Sequence, residues 1–396
     1  LSEALLGAAR LDAAESRLET LLPRARSALD RSAVFRLRAS LLTLKSDYDG
    51  SIDEALLGLG ELGVVLARGA SEAEQDQAYR DIRRRLAETS IADLENLPTM
   101  EDPRIRAAMS LLAPLISSVF TTDGLRFLHL AKLVELTLDY GACPESTYGL
   151  AWFGVIIADK YGAYHDGLSF ALAARSLVDR YGFEELRTSV LVGVDQVAPW
   201  TCPMPYALDR VREAIDAAHA AGDVGWVCYA RNHLVSDLII MGEEIPNIRR
   251  EAEVAIGITR RFGYTDIEHI LAAQLRLVVD LAEGMGEPGS GAGLASDIPP
   301  IVSPTTTFWV RYYEGTLLYF NGAYDEAVEK LLEADALSLL LLAHIDTAYC
   351  KFFLGLAIAA RGGDLAHGSA DRARLDALRD RFALWAELNS LNFTDK

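Results

Sequence analysis

The side chains with the widest chemical scope in this chain are seven histidines, His129, His165, His219, His233, His269, His344 and His367, and four cysteines, Cys143, Cys202, Cys228 and Cys350. No histidine has a second ligand one helical turn away in a way that builds a metal site, and no two cysteines form a C-x-x-C pair. The cysteines fit reduced, buried thiols of a cytosolic protein rather than a disulfide frame. His233 stands out because of its setting, Trp226-Val227-Cys228-Tyr229-Ala230-Arg231-Asn232-His233-Leu234. At helical spacing Trp226, Tyr229 or Ala230, and His233 share a face and can line a polar pocket. The plainer alternative is a core histidine whose ring nitrogens meet a neighbouring helix backbone. A second cluster, Asp195 to Pro205, carries Pro199, Pro203 and Pro205 and reads as a stiff connection between helices. Its Trp200 is either a binding anchor on a concave surface or a plug between successive hairpins. Together Trp200, Trp226, Tyr229, Arg231, Asn232 and His233 form the candidate ligand or peptide groove, with Arg231 and Asn232 supplying charge and hydrogen bonds within an apolar wall.

Catalytic signatures do not emerge. Two stretches match G-x-G-x-x-G, Gly58 to Gly63 and Gly284 to Gly289. A dinucleotide site needs a strand before and a helix after; the first match lies inside or at the end of a helix, and the second contains Pro288 in a loop. No Walker motif, H-E-x-x-H or G-x-S-x-G occurs. The reading is therefore non-enzymatic, with no catalytic residue, cofactor or metal assigned. Trp152, with Tyr148 one turn earlier, reads as core. Asn392-Phe393-Thr394 fits a glycosylation acceptor but lacks any sign of secretion.

The elements that must position these groups are helices. Apolar residues recur at spacings of three and four almost throughout. An aromatic residue followed by glycine closes helix after helix: Tyr140-Gly141, Tyr161-Gly162, Tyr181-Gly182, Phe262-Gly263, and Phe320-Asn321-Gly322 as a variant. Glycine suits the left-handed residue just past a helix end. Helices are predicted at about 124–140, 146–161, 165–181, 184–198, 205–221, 224–241, 246–262, 266–283, 305–321, 324–338, 340–361 and 369–388. Upstream, Pro23 is expected to open a helix toward Lys45, Ser51 to cap the next with Glu54, and Asp102-Pro103 to start another that Pro114 kinks or ends. Gly284 to Pro304 is rich in glycine and proline and reads as a loop or linker.

This beat predicts an all-α fold, a right-handed α-solenoid of antiparallel hairpins with degenerate tetratricopeptide-like repeats. The clearest repeat holds Gly315, Leu318, Gly322, Tyr324, Ala327, Leu331 and Ala334, with small residues where helices approach. Weaker copies run through Gly162, Tyr164, Gly167, Ala171 and Ala174, and around Tyr48, Ser51 and Ala55. The expected organisation is a solenoid over 1–283, the loop at 284–304, and C-terminal repeats of the same solenoid over 305–396.

Composition narrows the partners. The chain has 396 residues, of which 51% are hydrophobic, and a net charge of −19. Such a surface repels phosphate backbones, so no nucleic acid is expected, and Arg83-Arg84-Arg85 reads as a solvated helix face beside Asp76, Asp81 and Glu88. No apolar run, including Ala336 to Ala343, is long enough to span a membrane, and the expected location is cytoplasmic. The opening Leu1-Ser2-Glu3-Ala4-Leu5-Leu6 is already helical in pattern and reads as part of a longer protein.

Several stretches resemble one family: Tyr148 to Val155, Tyr161-Gly162-Ala163-Tyr164, Pro199-Trp200-Thr201, Arg231-Asn232-His233-Leu234, Leu94 to Ala108, and the ending Leu384-Trp385-Ala386-Glu387 with Asn392-Phe393. They are similar to the helical region of large bacterial signalling fusions that join a serine/threonine-kinase-like domain, a predicted AAA-type ATPase, tetratricopeptide-like repeats, a GAF domain and a sensor histidine kinase. The resemblance implies a regulatory, protein-interaction solenoid that holds a protein segment or a neighbouring domain of the parent chain. The alternative expectation is a small-molecule sensor with a pocket between hairpins.

Overall fold

A computed structural model of the chain describes residues 2–7, 10–87, 90–119, 123–283, 300, 301, 303–362 and 369–396. Among these the fold is all-helical; the sole β-type pairing is a parallel bridge between Thr99 and Ala142. No described helix is long and apolar enough to cross a membrane. The chain divides into two compact units, 1–156 with 169–186, and 157–168 with 187–396. Most of the segment 284–304, with the second glycine motif, and His367 lie outside the described residues.

Unit 1 contains α1 (Ser2–Gly7), α2 (Leu11–Leu21), α3 (Ala28–Leu44), α4 (Tyr48–Glu61), α5 (Glu72–Arg85), α6 (Pro103–Leu112), α7 (Ile116–Val119) and α8 (Asp123–Tyr140), with the larger parts of α9 (Pro144–Tyr161) and α10 (Tyr164–Tyr181). Two starts differ from expectation. Pro23 sits in a short 3-10 turn, and the cap of α3 is Ser27, whose hydroxyl accepts from the Asp30 N–H while Asp30 accepts from the Ser27 N–H. α4 begins at Tyr48 behind Asp47, so Ser51 lies inside the helix. There Ser51 is buried and shares hydroxyl hydrogen bonds of 2.9 and 3.0 Å with Thr43 and Ser118, tying α3, α4 and α7 together. The Asp102 cap of α6 is as expected, and a 3-10 turn at Pro114 ends that helix. Gly58 to Gly63 spans the end of α4. In the arginine run, Arg84 pairs with Asp81 and Arg85 with Asp139.

All five aromatic–glycine stops have a glycine with positive φ. Gly141 carries the strongest demand. Its φ is +95°, and an added Cβ would stand 2.4 Å from the Pro98 carbonyl oxygen. That carbonyl accepts the Ala142 N–H at 2.7 Å, and Ala142 returns its own carbonyl to Met100 N–H at 2.7 Å. Gly141→Ala is expected to destabilise unit 1 by about 2 kcal/mol or more, because both backbone conformation and contact are violated. Urea unfolding measures this; an unchanged midpoint would show the bridge to be dispensable.

Unit 2 contains the end of α9, the start of α10, then α11 (Arg187–Val197), α12 (Met204–Ala221), α13 (Val224–Met241), α14 (Ile245–Phe262), α15 (Thr265–Ala282), α16 (Pro304–Phe320), α17 (Tyr324–Leu337), α18 (Asp346–Ala360), α19 (Ala370–Leu388) and α20 (Ser390–Phe393). From α11 to α20 almost every helix packs on its neighbour in sequence, the pattern of stacked hairpins, although α15 and α16 are far apart in the chain. Gly315 admits Leu331 so closely that an added Cβ would meet its Cγ at 2.6 Å, the small/large fit read from the repeat. Two features depart from simple stacking, in which each unit meets only its neighbours. The side-chain amides of Asn389 and Asn392 donate to the carbonyls of Pro199 and Cys202, bringing the end of the chain back to the start of α12. The predicted helix over 340–361 starts only at Asp346, because Leu341 to Ile345 form a buried, irregular segment.

That segment holds Ala343 at φ +51°, unusual for a residue with a side chain. Its backbone is fully engaged: the N–H donates to Asp159 Oδ1 at 3.0 Å and the carbonyl accepts Trp200 Nε1 at 2.6 Å. The Gln196 amide donates to the next carbonyl, that of Leu342. A buried loop must satisfy its peptide groups with side chains, and three from 157–200 do so here.

Candidate functional site

α13 is the element on which the candidate residues converge. Asp223 caps it by accepting the Trp226 N–H at 3.0 Å, and Gly242 closes it at φ +68°. Between these stops the helix is apolar or uncharged apart from Arg231, His233 and Asp237. Helical spacing sends His233, Ser236 and Asp237 inward, while Arg231, Leu234 and Leu238 line a surface cleft.

The inward face builds a buried acid–imidazole cluster. His233 Nδ1 lies 2.7 Å from Asp195 Oδ2 of α11, and both side chains are almost wholly enclosed. The plainer sequence reading put a backbone carbonyl opposite this ring; the partner is instead a carboxyl group. Burial, assisted by the nearby His344, holds the His233 imidazole below its ordinary range, against the opposing pull of Asp195. A neutral ring bonded in this way carries its proton on Nδ1 and leaves Nε2 as an acceptor. His344 differs, its Nδ1 lying 3.0 Å from Asp346 Oδ2 while accepting the Asp346 N–H at 3.4 Å. The two rings meet edge to face at 4.5 Å between centroids, and the Nε2 atom of each is buried with no hydrogen-bond partner among the described residues.

Asp237 completes the set. Burial first, then the charge of Asp195 and a hydrogen bond to it, and finally Asp346, push its carboxyl well above the usual range. Two carboxyl groups can face each other when one keeps its proton. Asp195 Oδ1 and Asp237 Oδ2 are both buried, and no donor reaches either among the described residues. Asp346 accepts from the Ser236 hydroxyl and from Tyr313 OH at 3.3 Å. Gln274 of α15 joins in, its amide reaching Asn232 Oδ1 at 3.2 Å and Tyr313 OH at 3.1 Å. Trp226, Tyr229, His233, His344 and Trp309 form a chain of ring contacts, each 4.5 to 5.5 Å between centroids. The cluster has the parts of an acid–base device, but His233 is 1% and Asp195 3% exposed, so no substrate reaches them in this conformation. Among the described residues no group of three histidine, cysteine or acidic side chains is placed to hold a metal ion.

Trp200 belongs to a separate aromatic cluster. It is 2% exposed, stacks on Tyr164 at 4.7 Å and Phe393 at 5.6 Å, and tilts against Trp385 at 5.1 Å. The segment Ala343-His344 links the clusters, since Trp200 bonds the first residue and His233 packs on the second. Asn392, the acceptor of the glycosylation-like triplet, has its amide committed to Pro199 and Cys202.

The outward face of α13 borders a cleft of about 360 Å³ shared with α12 and α14. Its floor is Ile215, Leu234 and Leu238, and Arg212, Arg231 and Arg250 converge on it with Asn247. Arg231 is mostly buried and only loosely paired, 3.4 Å from Glu251, and its Nε atom is buried with no partner among the described residues. Of the six groove candidates, Arg231 lines this cleft, Asn232 and His233 sit in the buried cluster, Trp226 and Tyr229 are half-buried beside it, and Trp200 is in the aromatic cluster. A second, more apolar cleft of about 380 Å³ lies between α18 and α19.

Sequence reasoning passed over Asp237, His344, Asp346, Gln274 and Tyr313 as members of a site. Their signal was available as polar residues inside apolar helical stretches, but nothing local joins positions so far apart in the chain. Comparison with protein-family models finds none that matches, and comparison with curated proteins finds none similar to this chain.

Proposed function

We propose that this chain is a non-enzymatic regulatory module of a multidomain signalling protein, and that it acts by binding a ligand on the outer face of α13. The carrying observation is the contrast between the two faces of that helix. The groups suited to chemistry are sealed inside, whereas three arginines meet over an apolar floor in an open cleft. Stacked hairpins also expose long surfaces for a protein segment or neighbouring domain. The size of the cleft and its placement between consecutive hairpin helices favour a second, compatible reading, the sensing of a small molecule.

Native mass spectrometry of the purified chain and of Arg231→Gln tests the proposal. Added mass that leaves on denaturation and is missing from the variant supports small-molecule binding. For a protein partner, a photo-reactive residue at Asn247 should crosslink to a segment of the parent signalling protein, and Arg231→Gln should reduce that product by about tenfold, the cost of one charged hydrogen bond. The absence of both added mass and an Arg231-dependent crosslink would overturn the binding module.

A further inference from the structure

We infer that residues 341–345 form a latch with two states, the irregular buried one and a helical one that lengthens α18, and that the docked C-terminal helices hold it in the first. The inference lies within unit 2 and is independent of what the outer face of α13 binds.

The latch is at odds with its own sequence. Leu339, Leu340, Leu341, Leu342 and Ala343 are strong helix formers, yet α18 begins only at Asp346. Ile345, just before it, already has helical dihedrals, φ −58° and ψ −30°, so that end is open to growth. What stops the helix is Ala343, at φ +51°. A left-handed residue with a side chain is disfavoured by its Cβ, and it persists only where its surroundings fix it. Three side chains from outside the flanking helices do so. Asp159 takes the Ala343 N–H, Trp200 donates to the Ala343 carbonyl, and Gln196 donates to that of Leu342. Released from them, these peptide groups can adopt the ordinary bonding of a longer α18.

The latch is tied to a cluster at each end. Trp200 is seated by Trp385 and Phe393, and the carbonyls of Pro199 and Cys202 beside it accept from the Asn389 and Asn392 amides. At the other end His344 packs on the His233 ring at 4.5 Å between centroids, opposite Tyr229 at 4.7 Å. Drawing residues 341–345 into α18 turns His344 off that ring. The segment thus joins C-terminal docking to the cover of His233, as a bistable element biased by contacts at both ends.

Hydrogen exchange of the intact chain tests this at two sites, the His233 ring C2–H and the amide of residue 343. In the helical state that amide falls in the first turn, without an intrahelical partner, whereas the amides of Asp346 and Thr347 stay bonded. Ala343→Gly should slow exchange at both sites by about tenfold, because glycine accepts the left-handed state and is a poor helix former. Gln196→Met keeps the volume but frees the Leu342 carbonyl, and Asn392→Ala, at a half-buried position, loosens the seat of Trp200. Each should speed exchange at both sites by about three- to tenfold, with Asp346 and Thr347 keeping their protection. Faster exchange in Ala343→Gly would show a merely packed loop and overturn the latch. Loss of protection at Asp346 and Thr347 together with residue 343 would mean local unfolding and overturn the helical state. An unchanged His233 ring in Asn392→Ala would overturn the link to the C-terminal helices.

Discussion

Asp237→Asn should raise the melting temperature of this protein at pH 8 and remove most of its decline in stability above neutrality. Asp237 keeps its proton in the folded state because it is buried beside Asp195. In the unfolded chain an aspartate loses its proton near pH 3.9. Folding therefore takes up one proton at higher pH. The stability associated with Asp237 is full below the unfolded value and falls as pH rises through the folded one, by about 1.4 kcal/mol per unit. His129 and His233 run the other way. Burial holds His129 down to about 4, and His233 is lowered as well. Their contribution is complete above the unfolded value of 6.5 and is lost as pH falls below it. For His129 this amounts to about 3 kcal/mol between pH 6.5 and 4.

The two slopes oppose each other, the histidines costing stability as pH falls below 6.5 and Asp237 costing stability as pH rises. Asparagine keeps the shape and the donor of a protonated aspartate without the proton. A higher melting temperature than the parent chain at pH 8, with a shallower fall from pH 6 to pH 8, is expected. Thermal melts at pH 6 and pH 8 decide the matter. Equal melting of the parent chain at both, or an equally steep decline in the variant, would show that Asp237 does not carry the proton.

The second large effect concerns Trp200. Its ring is enclosed by Tyr164, Trp385 and Phe393, and its indole N–H serves the carbonyl of Ala343. Trp200→Ala is expected to cost about 3–5 kcal/mol, since a large ring is removed from a packed site. Trp200→Phe retains most of the packing but strands the Ala343 carbonyl, at a cost of about 1–3 kcal/mol. Because Ala343 precedes His344, that loss should also disturb the imidazole pair, visible as a changed histidine ring resonance for His233. If Trp200→Phe leaves stability and the His233 resonance untouched, yet abolishes ligand binding, then Trp200 is a contact residue and not a support.

Helix content was legible because its causes are local. Apolar spacing, the Asp102 cap and the glycine at each aromatic stop act over a few residues, and the structure places helices where these signals put them. Local signals failed where packing outweighed them. Ser51 has the spacing of a cap but is drawn inside α4 by hydroxyl bonds to α3 and α7. Leu341 to Ile345 look helical by composition, yet Gln196, Trp200 and Asp159 hold them irregular by taking their peptide groups. The candidate site divides in the same way. The sequence alone singled out α13, and with it His233 and Arg231, because aromatic and polar residues crowd one helical stretch. Only the tertiary structure decided that His233 faces the buried Asp195 with Asp346 nearby, that Arg231 faces a cleft, and that Trp200 belongs with the C-terminal aromatics. Those pairings join residues tens to nearly two hundred positions apart, where partners are set by which faces become buried together.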